Sequence, residues 1–201
     1  MKIAIVTLEA FNEIDSFLAS AILNRVTLPG WEVQICCPAA SVTSMNGVQI
    51  LGQQPLDYAN TADVVLFGSG MKTLDYANDP AFLARFSLDP ARQLIGAQCS
   101  GALILHRLGL TQGIVASDTM TAPLLEEEGL TLSENPLYSW GNIATAGGCL
   151  ASHYLAAWVI ARMADWQTSE DIIHYVAPVG QKQEYVDRAK ATILPTLQAV
   201  A

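Results

Sequence analysis

Basic residues are scarce in this sequence. Only 10 Lys and Arg stand against 19 Asp and Glu, and the formal net charge is −9. A field of that sign repels nucleic acid and anionic membrane surfaces, so neither is expected as a partner. Long apolar runs are also missing. The stretch from Ile3 to Leu8 follows a single Lys and stops at Glu9, too short for a secretory signal. The longest apolar helical stretch, Cys149 to Ala164, is broken by His153 and Arg162 and falls short of a bilayer span. The 4 cysteines, Cys36, Cys37, Cys99 and Cys149, form neither a CxxC pair nor a zinc pattern, and adjacent Cys36 and Cys37 make a poor relaxed disulfide. The 3 histidines, His106, His153 and His174, are not spaced as ligands. No metal and no cofactor are therefore expected. Free thiols point to a reducing compartment, and the expectation is a soluble cytoplasmic protein acting on a small molecule.

What the chain does have is apolar content. Residues of that kind make up 51% of 201, charged ones 14%, enough for one well-cored domain spanning 1–201. Short β-branched runs alternate with helical patterns. Strands are expected at Lys2 to Thr7, Glu32 to Cys37, Asp63 to Phe67, Gln93 to Gln98 and Asn142 to Ala146. Helices are expected from Ser16 to Val26 with Asp15 as N-cap, from the Cys99 turn to Leu108, up to Ala164, and from Gln181 to Val200 with a bend or break at Pro195. Continuous apolar strands separated by helices predict an α/β sandwich with a mostly parallel sheet covered on both faces. Sites in such folds gather at the carboxyl ends of the strands. Three of those ends carry the Glu13 and Asp15 stretch, Gly68-Ser69-Gly70, and Cys99-Ser100-Gly101.

Cys99 sits where a strand turns sharply into a helix, with Gly101 two residues on, the arrangement of a nucleophile elbow. A thiol at a helix N-terminus is favoured as thiolate, so a lowered pKa is expected. The same residue also fits a small buried hydrophobe, and local sequence leaves both readings open. Ala97-Gln98-Cys99-Ser100-Gly101-Ala102, with the helix to Gly109, resembles the cysteine elbow of the ThiJ/PfpI superfamily, which has the class I glutamine amidotransferase-like fold. Val64 to Gly70 is similar to that superfamily's strand ending in a glycine-rich oxyanion loop, and Asn142 to Ala164 to its later strand, Gly-Gly turn and helix. The resemblance implies a flavodoxin-like sandwich, a homodimer, Cys99 as nucleophile, and an acidic partner at Asp15, with Glu13 as competitor. It further implies oxyanion donation from the backbone amides of Ser69 and Ser100, framed by Gly68 and Gly70.

The chain departs from that pattern at two positions. Many relatives place histidine directly after the cysteine, where this chain has Ser100. Others supply one after the next strand, where Ala116-Ser117-Asp118-Thr119 offers Thr119. A Cys-His base is therefore absent from the motifs, which argues against peptidase or amidotransferase activity and weakens a glyoxalase or deglycase reading. A cysteine followed by a small hydroxyl residue and Gly-Ala, with an upstream aspartate, is similar to the isonitrile hydratase branch. That likeness implies a hydratase or lyase acting on a small electrophile. Two alternatives remain: a non-catalytic redox or oxidative-stress sensor built on Cys99, and a small-ligand-binding domain like those joined to AraC-type regulators. Cys149 is a candidate second thiol. Trp31, Trp140, Trp158 and Trp166 are expected to pack, with Trp140 the one placed to line a pocket. Glu126 to Glu128 are expected at a solvated helix end.

Overall fold

The computed structural model describes residues 1–198. Val200, the expected end of the last helix, lies outside them. The strands are β1 (Lys2–Val6), β2 (Glu32–Cys37), β3 (Ser41–Thr43), β4 (Gln49–Leu51), β5 (Gln54–Pro55), β6 (Val64–Phe67) and β7 (Leu94–Gln98). They continue with β8 (Ile114–Val115), β9 (Thr131–Leu132), β10 (Leu137–Trp140) and β11 (Ile143–Ala146). The helices are α1 (Glu13–Leu23), α2 (Thr73–Ala77), α3 (Pro80–Leu83), α4 (Gly101–Arg107), α5 (Ala122–Glu127), α6 (Ser152–Met163), α7 (Trp166–Val176) and α8 (Lys182–Gln198).

Side-chain alternation on the strands explains the layers. On β1, Ile3 and Ile5 enter one apolar cluster while Ala4 and Val6 enter another. On β6, Val64 and Leu66 divide from Val65 and Phe67 in the same way. Strands buried on both faces need apolar residues at every position, which is why these runs read as continuous. One cluster packs under α1, α6, α7 and α8 around the fully buried Trp158, the other under α2, α3, α4 and α5. Removing a buried indole such as Trp158 costs about 3–5 kcal/mol.

The main sheet has 7 strands in the order β10-β11-β7-β6-β1-β2-β5, and all neighbours are parallel except the β10–β11 edge pair. The chain leaves β1 for β2 on one side and returns to β6 on the other. That reversal makes β1–β6 a topological switch point, where loops from the carboxyl ends part and leave a crevice. Among the described residues, no helix is long and apolar enough to cross a membrane.

Several expectations change. Helix α1 starts at Glu13, and its N-cap is Asn12, whose side chain accepts from Ile14 N–H at 3.1 Å. Asp15 therefore lies inside the first turn and is not the cap. Helix α8 runs through Pro195 without a break. Pro195 and Ala191 are both exposed, so the carbonyl that loses its partner reaches water. The segments Met71 to Asp79 and Ala116 to Trp140, which carried no strand or helix expectation beyond the helix end at Glu126 to Glu128, contain α2, α5, β9 and β10. Glu128 is not simply solvated: its carboxylate pairs with Arg107 and, at 2.9 Å, with His106. Trp140 packs against the α4-side cluster.

Candidate functional site

The turn from β7 into α4 forces Cys99 into the left-handed region, with φ +50°. For a residue with a Cβ this costs about 1–2 kcal/mol, so the surroundings must hold it there. They do so at both backbone groups. Cys99 N–H donates to Ala146 O at 2.8 Å, and Ser117 Oγ donates to Cys99 O at 2.9 Å. Gly101 lets the elbow approach the next strand: a Cβ there would sit 2.8 Å from the carbonyl oxygens of both Phe67 and Gly68. Gly147 has a similar role, since its Cβ would lie 2.3 Å from Ser117 O.

The loop after β1 is stitched to the Gly68–Met71 loop. Asn12 N–H donates to Ser69 O at 2.8 Å and Met71 N–H to Ala10 O at 3.0 Å. This brings the first turn of α1 over the elbow. Asp15 is 2% exposed, and its Oδ2 accepts a short hydrogen bond from Ser69 Oγ. Its other oxygen, Oδ1, is buried without a partner. Asp15, Cys99 and Cys149 each bring one ligating atom within 4.8 Å of the others. Asn12 Nδ2 donates to Cys149 Sγ at 3.1 Å, while Gln98 Nε2 donates to Cys99 Sγ at 3.3 Å and to Gly148 O at 2.8 Å.

Glu13 is directed elsewhere. Its carboxylate accepts from Ser44 Oγ at 2.5 Å and Asn46 Nδ2 at 2.8 Å, bonds that hold its pKa below the usual value and anchor the β3–β4 hairpin. Of the two acidic candidates, only Asp15 joins the thiols. Ser100 does not cap α4 with its side chain; its hydroxyl instead accepts a long bond from Gly70 N–H at 3.4 Å, tying the two glycine-rich turns together.

Burial dominates the electrostatics. It raises the Asp15 pKa, although the contacts with Ser69, Cys99 and Cys149 pull the other way. Burial and then the Asp15 charge push the Cys99 thiol up. This reverses the expected lowering. Helix α4 has only two turns, too weak a dipole to offset a desolvated sulfur beside a carboxylate. Both effects favour the Cys99 thiol over its thiolate beside Asp15. Cys149 is also raised, first by burial and then by Asp15.

Cys99, Cys149, Asn12, Ser69, Gly70 and Ser100 line a cavity of about 900 Å³, with Ser117 to Thr121 on its opposite wall. Among the described residues no histidine lines it, and Thr119 occupies its rim. A carboxylate and two sulfurs are a plausible donor set for a soft metal, although Ser69 already engages the carboxylate.

No family model matches the sequence, and no curated protein is significantly similar to it. Solved structures do match. Schizosaccharomyces pombe DJ-1 superposes with a TM-score of 0.76 at 16% identity, over 89% of this chain and 100% of that one. Drosophila melanogaster DJ-1beta gives 0.76 at 18%, over 87% and 96%. A ThiJ/PfpI family protein from Pseudomonas syringae gives 0.74 at 22%, over 96% and 90%. The fold is that of the DJ-1/ThiJ/PfpI superfamily.

Within the DJ-1/ThiJ/PfpI fold, the structure brings together Cys99, Asp15, Ser69, Ser100, Gly68 and Gly70 at one end of the sheet. It adds three residues that motif reading left out of the site: Asn12, Gln98 and Asp118. Asp118 accepts from Thr121 N–H at 3.0 Å and Thr121 Oγ1 at 2.7 Å just ahead of α5, and contributes a negative field that raises Asp15 and Cys99. Asn12 carried a signal, since it stands beside the acidic pair as a cap-type residue. The pairing of Ala146 with Gln98 in β11–β7 sets Cys149 beside the elbow, and no local motif encodes that register.

Proposed function

We propose that this chain is a cysteine-dependent hydratase or lyase acting on a small electrophile such as an isonitrile, with Cys99 as nucleophile and Asp15 as proton carrier. One observation carries the reading. Cys99 is held at φ +50° under an open cavity with the buried, half-satisfied Asp15 beside it and, among the described residues, no histidine on the walls. Chemistry at such a site must move its proton through a carboxylate.

With an isonitrile, the Cys99 sulfur bonds to the terminal carbon as its proton passes to the Asp15 carboxylate. The resulting carboxylic acid protonates that same carbon, leaving an S-linked thioimidate. Water then adds to the carbon, the nitrogen takes a proton, and the C–S bond breaks. The products are an N-substituted formamide and the restored Cys99 thiol, one water having been added overall. A buried carboxyl with a raised pKa suits this exchange, since it is a stronger proton acceptor than a solvated aspartate. The amides of Ser69 and Ser100 are assigned to the oxygen that becomes anionic after water adds, because preorganised N–H groups stabilise charge without depending on side-chain identity.

The test is formamide production from a panel of isonitriles followed by NMR, with α-oxoaldehydes as a second substrate class. Cys99→Ala is expected to abolish turnover, and Asp15→Asn to lower it by about 10²–10⁴-fold. Isonitrile turnover that survives Cys99→Ala, or none with wild type, overturns the hydratase reading. Cys99-dependent turnover confined to α-oxoaldehydes moves the site to glyoxalase-type chemistry.

A further inference from the structure

Cys149 is a second thiol in the same cluster, and the hydration chemistry does not use it. Its sulfur lies within 4.8 Å of both Cys99 Sγ and the Asp15 carboxylate. Forming a bond of about 2.05 Å from there requires less than 3 Å of approach. Cys99 is fixed by hydrogen bonds at its N–H and C=O. Cys149 begins a short 3-10 turn, Cys149–Ala151, after Gly148 at φ +82°, and its carbonyl accepts from Ser152 Oγ at 2.9 Å. The next residue, Leu150, is 70% exposed, so this turn lies at the surface. Gln98 bridges the two segments by holding both Cys99 Sγ and Gly148 O.

Cys149 lies on the wall between the 900 Å³ cavity and a neighbouring one of about 680 Å³, so a reductant can reach it from either side. Asn12 donates to its sulfur, a bond that works against the burial and the Asp15 charge that raise this thiol. Among the described residues, Cys36 and Cys37 are the other free cysteines, and both are buried in different apolar clusters.

We infer that Cys149 is the resolving thiol of Cys99, closing a reversible Cys99–Cys149 disulfide that protects the nucleophile from irreversible oxidation. The inference rests on Cys99 being a reactive thiol, as the proposed function requires, but not on any turnover. A hydroperoxide transfers one oxygen to Cys99, giving the sulfenic acid and releasing the alcohol or water. The Cys149 thiolate attacks that sulfur, the S–O bond breaks, and the hydroxyl leaves as water with the Cys149 proton. Two electrons have passed from the two thiols to the peroxide, and an external dithiol returns them by exchange. A thiol held this near acts at an effective concentration of about millimolar or more. It therefore outruns a second peroxide molecule supplied at micromolar concentration.

The test is limited hydrogen peroxide treatment of wild type, Cys149→Ser and Cys99→Ala, then alkylation under denaturing conditions, intact mass and peptide mapping. Wild type is expected to lose the mass of two hydrogens, yield a crosslinked Cys99–Cys149 peptide, and recover fully with dithiothreitol. Cys149→Ser is expected to gain oxygen at Cys99 instead, with on the order of tenfold more sulfinic acid at equal dose. Sulfinic Cys99 in wild type with Cys149 still alkylatable overturns the inference. A Cys149 bridge between two chains, or an unreactive Cys99, overturns it equally. An absence of isonitrile turnover together with the crosslink overturns only the hydratase reading.

Discussion

Two pairs of cysteines mark carboxyl ends of one sheet, and they have opposite surroundings. Cys36 and Cys37 close β2; Cys99 directly follows β7, and Cys149 follows β11 by three residues. Exposure does not separate the first of each pair: Cys36 is 0% and Cys99 3% exposed. Burial pushes up Cys36 to about 12 and Cys37 to about 11, and it pushes up Cys99 as well. What differs is the company. Cys36 packs among apolar side chains, and its sulfur donates a long bond to Gln34 O at 3.7 Å. Cys99 has a left-handed backbone, a carboxylate, two amide side chains in the cluster and a cavity above it. Burial makes a thiol inert only where nothing is arranged to take its proton.

The largest contrast should appear in alkylation of the native protein. Cys99 and Cys149 are expected to react with iodoacetamide through the cavity. Cys36 and Cys37 must wait for global unfolding, so they should label at least about 10³-fold more slowly. Site-resolved mass spectrometry over a time course reads all four together. Cys36 labelling as fast as Cys99 would remove the distinction between the two ends. Asp15→Asn should slow Cys99, by removing the proton acceptor, and leave Cys36 unchanged.

Each pair also has a glycine pressed against it. A Cβ at Gly101 would meet two backbone carbonyl oxygens at 2.8 Å, atoms that move only if β6 moves. A Cβ at Gly52 would meet Cys37 Cβ at 2.9 Å and Ala39 O at 3.2 Å, on the short edge of the sheet beside β5. Gly101→Ala is expected to cost about 2–3 kcal/mol and Gly52→Ala about 1 kcal/mol, within the range for overpacking. Thermal unfolding measures both. Only Gly101→Ala should also reduce Cys99 alkylation, because it displaces the elbow. Equal losses without a change at Cys99 would mean that the close approach serves packing alone.

The legible parts of the molecule were those encoded locally. Strands β1, β6, β7 and β11 appear as apolar runs because every position but Lys2 is buried, and Cys99 announces itself by a strand that runs into Cys99-Ser100-Gly101. The fold class followed from that alternation. Asp15 was visible but ambiguous, since Asn12 and Asp15 are both cap-type residues three positions apart. The chain enters α1 one turn earlier than expected, freeing Asp15 to turn inward to Ser69. Cys149 was harder to place because its neighbour in space, Cys99, is fifty residues away and depends on strand register. The direction of the thiol pKa was misjudged for a related reason. Helix position can be read in a sequence, whereas the depth of burial and the nearness of Asp15 and Asp118 are properties of the assembled sheet end.

The smallest effect separates charge from packing. Asp15 has a folded pKa raised above 3.8, so the native state keeps a proton that the unfolded chain has lost. Its contribution to stability therefore falls as pH rises from 3.8 through the higher folded value, and the loss is complete above that. Asp15→Asn keeps an acceptor for Ser69 and removes the buried charge. The variant is expected to melt higher than wild type at neutral pH, by about 2–4 °C for each 1 kcal/mol relieved, with the advantage shrinking to nothing below about pH 4. Cys36→Ala provides the control from the other end of the sheet. It loses buried contacts at a group that stays neutral over this range, so its deficit should not vary with pH between 4 and 7. A pH-independent gain for Asp15→Asn would mean that folding does not raise the Asp15 pKa, leaving its carboxylate no better a base than in the unfolded chain. Its part as proton acceptor would then fall, while the Cys99–Cys149 disulfide would be untouched.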